Sequence, residues 1–204
     1  MKDRNELVGL FQQHYLTGKA VEVGTFEGDY AHQILKTWTG KLYLVDVWCK
    51  LNDDEYQDVL NSCDPVVTYT NCFNNIKGHE RRCHMLRCFS EDALDLFDDE
   101  SLDFVYIDAN HKYEFVKKDL EMWYPKVRKG GVFAGHDYFR MFWYDGNFSL
   151  NGKDKHIWSK PDGVTDHYHG VFGVIPAVDE FCKEKGYTVN LTNEDWIRSW
   201  YFVK

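Results

Sequence analysis

Two acids and two histidines punctuate one stretch of this chain in a way that can serve chemistry. Asp108 and His111 stand in Asp-x-x-His spacing behind the apolar run 102–107, and His136 and Asp137 close a second apolar run, 131–135. Between the runs, residues 112–123 have the length and pattern of a helix, and Gly130-Gly131 reads as the turn into the second run. Two parallel strands joined by a helical crossover finish on the same side of their sheet. In open α/β sheets that edge is where ligands bind. Asp108, His111, His136 and Asp137 are therefore expected to converge on one pocket. Carboxylates and imidazoles are the side chains that exchange protons in and below the neutral range.

A second group lies earlier. The run from Lys19 opens into Glu22-Val-Gly24-Thr-Phe-Glu27-Gly28-Asp, where Gly24 would let backbone approach a ligand and Gly28 would start a helix. The spacing is not the GxGxxG of dinucleotide binding, and no GxxxxGK[ST] phosphate loop occurs, so an NAD enzyme is disfavoured. Two acids, Glu22 and Glu27, flank the turn and suit a ligand with a positive end. Asp46 ends the next apolar run, where a carboxylate can accept both hydroxyls of a ribose. Trp48 is read either as packing on an adenine face or as a core residue. Ser90 and Glu91 fall on the same edge, within reach of a base's exocyclic amine.

The elements that must carry these residues alternate. Strands are expected at 19–24, 41–46, 83–88, 102–107 and 131–135, and helices at 3–17, 28–38, 52–63, 90–97, 112–123 and 174–185. Residues 65–78 include Val66, Val67, Thr68 and Tyr69, which favour strand, yet the segment is read as helix because the next strand is needed only at 83–88. Two last strands, near 187–192 and 196–203, close the fold. The alternation implies an α/β fold, a parallel sheet with helices on both faces, in a single domain over 1–204. Residues 138–170, rich in Tyr, Trp, His and Gly, are long for a connection; 139–170 is read as an acceptor-binding insertion or lid.

Composition bounds the rest. With 24 Lys and Arg against 33 Asp and Glu, the formal charge of −9 argues against a nucleic-acid partner, and the Arg81, Arg82, Arg87 patch is read as a solvated face. No apolar run nears the roughly 20 residues of a membrane helix, and residues 1–16 lack a signal peptide's apolar core. Six cysteines without CxxC spacing read as free thiols, and a cytoplasmic location is expected.

VEVGTFEGD, LVD, DFVYIDANHKY and GGVFAGHDY together resemble the class I S-adenosylmethionine-dependent methyltransferases, and more narrowly the macrocin-type sugar O-methyltransferases. The methyltransferase domain of chlorovirus glycan-building proteins is similar too, which would make the location host cytoplasm. The resemblance covers 19–138 and, more loosely, 171–204. It implies a Rossmann-like, seven-stranded, mostly parallel sheet with an antiparallel last strand. It implies S-adenosylmethionine held by Glu22, Gly24 and the Thr25 and Phe26 backbone, with Asp46 on the ribose, Val47 and Trp48 beside it, and Ser90, Glu91 and Asp108 completing the pocket. A divalent cation, Mg²⁺ or Mn²⁺, would sit on Asp108, His136 and Asp137, although relatives usually have two carboxylates where His136-Asp137 stands. His111 would be the general base, acting with Asp108; the alternative is that it only orients Asp108. The implied acceptor is a small molecule or glycan, such as a deoxysugar like rhamnose, with a homodimer left open. Competing readings are a catechol-type O-methyltransferase and a non-catalytic nucleotide-binding module.

Overall fold

The computed structural model describes residues 1–50, 63–138, 173–194 and 197–204, with the backbone of 142–144 and 147–149. Five strands, β1 (Lys19–Val23), β2 (Lys41–Asp46), β3 (Cys83–Arg87), β4 (Leu102–Ile107) and β5 (Val127–Gly135), run parallel. β6 (Phe142–Tyr144) and β7 (Asn147–Ser149) form a separate antiparallel ribbon. β8 (Asn190–Leu191) and β9 (Trp200–Val203) finish the main sheet, whose order is β3-β2-β1-β4-β5-β9-β8, with β9 antiparallel to β5. This is the seven-stranded Rossmann-like arrangement. Strand order reverses between β1 and β4, which opens a crevice at their C-terminal ends.

Helices α1 (Val8–Gln13), α2 (Asp29–Leu35), α3 (Pro65–Asn75), α4 (Ser90–Ala93), α5 (Tyr113–Trp123) and α6 (Val174–Lys185) flank the sheet. β4 is buried at all six positions, as a strand covered on both faces must be. Its alternate residues feed two cores. Val105 and Ile107 join Trp123, Val178, Phe181 and Trp200, while Phe104 and Tyr106 join Phe11, Tyr30, Ile34 and Trp38 on the other face.

Several expected boundaries move. β5 begins at Val127, not 131, because Gly130 is not a turn residue but an irregularity inside the strand, with φ of +74° where the β4–β5 register shifts. The opening helix shrinks to a 3₁₀ turn at Arg4–Leu7 followed by α1, and the final strands shorten to β8 and β9. Residues 65–75 are helical despite their strand propensity, started by the Asp64 cap on the Val66 N–H and by Pro65 at the first position. The expected helix at 52–63 falls outside the described residues apart from its last residue, and the expected lid at 139–170 falls outside them apart from the β6 and β7 backbone. Cys49, Cys72, Cys83, Cys88 and Cys182 form no disulfide. Arg82 is no solvated charge, since it donates to the Leu35 and Trp38 carbonyls at the end of α2. Among the described residues no helix is long and apolar enough to cross a membrane.

Under α4, Ser90 Oγ donates to Asp119 Oδ1 at 2.5 Å and accepts from Trp123 Nε1 at 2.8 Å. Burial pushes Asp119 up to about 6, with the Ser90 hydrogen bond opposing it only in part. Because the folded value lies above the unfolded 3.8, the native state holds more protons between those pH values, and stability falls as pH rises through that window. Asp119→Asn is therefore expected to gain on wild type by up to about 3 kcal/mol between pH 4 and pH 7 in denaturant titrations. A difference that does not change with pH would contradict this.

Candidate active site

The four acids and histidines do meet. Asp108 follows β4, with its amide donating to the Val23 carbonyl at 2.7 Å, so the ends of β4 and β1 are zipped together. Gly24 makes that possible: it has φ of +83°, and a β-carbon there would lie 2.1 Å from the Asp108 carbonyl oxygen. His111 is fixed from behind, its carbonyl accepting the Gly173 amide at 2.6 Å at the start of α6. His136 continues β5, donating its amide to Ile107. Asp137 then takes φ of +56°. Of the five described non-glycine residues with positive φ, three (Phe26, Trp48 and Asp137) follow the C-terminal ends of β1, β2 and β5. Backbone held in that region collects where a site dictates it.

His111 Nε2 stands 2.8 Å from Asp137 Oδ2 and 3.7 Å from Asp108 Oδ1. His136 Nδ1 lies 3.5 Å from Asp137 Oδ2 and 3.7 Å from Asp108 Oδ2. Ligand atoms of Asp108, His111 and Asp137 all fall within 4.8 Å of one another, an arrangement able to hold a metal ion. His136 Nδ1, which the sequence reading gave to the cation, faces the same two carboxylates. Electrostatics follow from the geometry. Burial alone would lower the His111 value, but the neighbouring Asp108 and Asp137 carboxylates outweigh it and raise it to about 10. Burial raises Asp108, whereas in Asp137 the two histidines overcome burial and hold the carboxyl far below its usual range.

On the β1–β2 side, Glu22 and Thr25 are buried, and Glu22 Oε2 and Thr25 Oγ1 have no hydrogen-bond partner among the described residues. Burial, then the charge of Asp108, raises Glu22 well above a normal carboxyl. Such orphaned polar atoms are costly without a ligand, and they fit one bringing an amine or another positive end. Asp46 Oδ2 accepts from the Thr25 and Phe26 amides at 3.0 and 2.8 Å, and Oδ1 from the Trp48 amide at 2.8 Å. The carboxylate therefore shapes the β1 loop, and Oδ1 keeps acceptor capacity for a further donor.

Trp48 goes to the core. Its ring is fully buried, edge-on to Tyr69, with the indole N–H donating to the Phe26 carbonyl, so no ring face is left open. Val47 offers its carbonyl to Arg87. The Ser90 hydroxyl is engaged beneath α4, and Glu91 pairs with Lys118 at 2.9 Å on the surface, so neither side chain turns to the crevice.

Sequence reading missed Arg4. Its guanidinium lies 3.7 Å from Asp108 Oδ2 and 5.0 Å from the centre of the Tyr30 ring. Nothing local announces this; the contact joins the first turn of the chain to the end of β4. Beside it, a cleft of about 540 Å³ is lined by Lys2, Asp3, Arg4, His136, Asn193, Glu194 and Ile197.

The model of a methyltransferase-domain family matches residues 21–138, more than half of the chain and the part that builds both loops. The chain belongs to this methyltransferase family. In sequence it is 39% identical over 69 residues to uncharacterized protein y4gI of Sinorhizobium fredii, a match spanning 32% of this chain and 8% of that protein. In structure it is similar to an O-methyltransferase from Bacillus cereus in complex with SAH, with TM-score 0.60 and 13% identity over 98% of this chain and 80% of that one. It is also similar to the O-methyltransferase TomG from Streptomyces achromogenes, involved in tomaymycin synthesis and solved with SAM. There the TM-score is 0.56 at 14% identity, covering 98% of this chain and 79% of that one. At these identities the likeness establishes the methyltransferase fold.

Proposed function

We propose that this methyltransferase-family protein is an S-adenosylmethionine-dependent O-methyltransferase acting on a hydroxyl of a sugar or glycan, with a divalent cation assisting. The observation that carries the reading is the Asp108–His111–Asp137 cluster, which lies directly across Gly24 from the β1 loop with its orphaned Glu22 and Thr25 oxygens. Bound S-adenosylmethionine would supply the methyl group as an electrophilic sulfonium. Glu22 and Thr25 would hold its amino-acid end, and Asp46 Oδ1 its ribose. Carboxylate oxygens of Asp108 and Asp137, with His136 beside them, would suit Mg²⁺ or Mn²⁺, leaving His111 for the proton. A cation there would lower the proton affinity of an acceptor hydroxyl.

His111, once its proton has been shed, takes the proton of the acceptor hydroxyl at Nε2, while Asp108 and Asp137 orient the ring. The oxygen left behind would then receive the methyl group, with its bond to sulfur breaking and S-adenosylhomocysteine leaving. Most of the acceleration comes from alignment, because methyl transfer asks for little besides a well-placed nucleophile. Polar groups of Lys2, Arg4, Asn193 and Glu194 in the neighbouring cleft would meet the hydroxyls of a sugar.

Two measurements test this reading. Calorimetry should detect S-adenosylhomocysteine and no NAD, since the dinucleotide fingerprint is absent. EDTA should abolish methyl transfer, and Mg²⁺ or Mn²⁺ should restore it. Full activity in chelator, on protein shown metal-free by elemental analysis, would remove the cation from the reaction.

A further inference from the structure

The Arg4 guanidinium is built into the acid cluster, at the same Asp108 oxygen that His136 Nδ1 approaches to 3.7 Å. Neighbouring rings and backbone fix it there. Tyr30 lies under the guanidinium and its hydroxyl donates to the Arg4 carbonyl at 3.1 Å. Tyr30 in turn packs on Tyr106, ring centres 4.3 Å apart, and the Tyr106 hydroxyl is paired with Ser199 at 2.8 Å. The backbone is tied down as well, since the Arg4 amide donates to Glu194 Oε1 at 3.2 Å and the Asn193 amide to the Met1 carbonyl at 2.8 Å. An arginine so held cannot shed its proton and cannot swing away freely. It presents a permanent charge 3.7 Å from Asp108 Oδ2, an oxygen of the same carboxylate that the metal-capable cluster uses.

We infer that Arg4 is the resident counter-cation of the Asp108 carboxylate and that it sets the affinity of the site for a divalent cation. The inference rests on the reading of Asp108 and Asp137 as the carboxylates of a cation site. Two carboxylates match one divalent cation in charge, and a fixed guanidinium on Asp108 leaves the filled site with a positive excess. Repulsion between the two cations across a few ångströms of partly buried space weakens metal binding. Arg4 also lines the cleft beside His136, with its side chain still 30% exposed. An oxygen-rich acceptor entering the cleft can accept from the guanidinium and relieve that repulsion. Cation and acceptor would then bind with positive cooperativity.

The test is Mn²⁺ binding to the full chain, read by electron paramagnetic resonance, for wild type, Arg4→Gln, Arg4→Lys and Asp108→Asn. Arg4→Gln should bind Mn²⁺ roughly tenfold to a hundredfold more tightly than wild type, from the charge removed. Arg4→Lys, which keeps the charge, should stay within a few-fold of wild type, and Asp108→Asn should lose the site. If Arg4→Gln does not fold, Arg4→Met removes the same charge and is read in the same way. Unchanged or weaker Mn²⁺ binding in the folded neutral variant overturns the inference, as does absence of Mn²⁺ binding in both it and wild type. S-adenosylhomocysteine titrated in parallel separates the two readings: its retention with no Mn²⁺ effect removes the role of Arg4 and leaves the methyltransferase assignment standing.

Discussion

Replacing His111 by alanine is expected to lower kcat by a factor on the order of 10²–10⁴, the span usual for loss of a general base. The ring sits 2.8 Å from Asp137 and bridges it to Asp108, so its removal also leaves two buried acids facing one another. Stability should therefore drop in the absence of metal, because a buried carboxylate loses its counter-charge. Activity is to be read on protein shown folded by near-ultraviolet circular dichroism. Affinity for S-adenosylhomocysteine should stay near wild type, since the loop carrying His111 is anchored by α6 through Gly173 rather than by the β1 loop. The wild-type kcat/KM should rise with pH along a limb that the mutant lacks, because the ring acts only after losing its proton. If His111 merely orients Asp108, the loss should instead follow the cation. The KM for Mg²⁺ or Mn²⁺ would rise and excess metal would rescue much of the rate.

Asp46→Ala is the second large effect. Affinity for S-adenosylhomocysteine should weaken by about 1.5–3 kcal/mol, the range for hydrogen bonds to a charged group. The amides of Thr25, Phe26 and Trp48 all donate to this carboxylate, so the substitution also frees the β1 loop. Part of the loss should therefore appear as a lower melting temperature of the ligand-free protein. Calorimetry giving an unchanged affinity would remove Asp46 from the cofactor pocket.

The chain discloses its sheet because parallel strands buried on both faces must be short apolar runs, and those ending at Val23, Asp46, Ile107 and Gly135 are evident. The crossover rule then brings Asp108 and His111 against His136 and Asp137 without further information. What stayed hidden depends on contacts distant in sequence. Trp48 offered an aromatic face to a base on paper, but its burial was decided by Tyr69 and the Phe26 carbonyl. Ser90 stood on the right edge, yet its hydroxyl was claimed by Asp119 and Trp123 of α5. Arg4 lies in a turn with no motif, and only folding shows its guanidinium against Asp108. Gly130 looked like a turn because a glycine pair usually is one, whereas the β4–β5 register irregularity uses it inside a strand.

Methyl transfer itself is the measurement that matters most. The protein is to be incubated with S-adenosylmethionine and a panel of sugars and catechols, with and without Mg²⁺ or Mn²⁺, and the products read by mass spectrometry. A methyl-bearing product is expected on a sugar hydroxyl, dependent on the added cation and lost in His111→Ala. Methylated catechols with untouched sugars would contradict the acceptor assignment. S-adenosylmethionine bound but never consumed would contradict catalysis altogether, leaving a binding module in a methyltransferase fold.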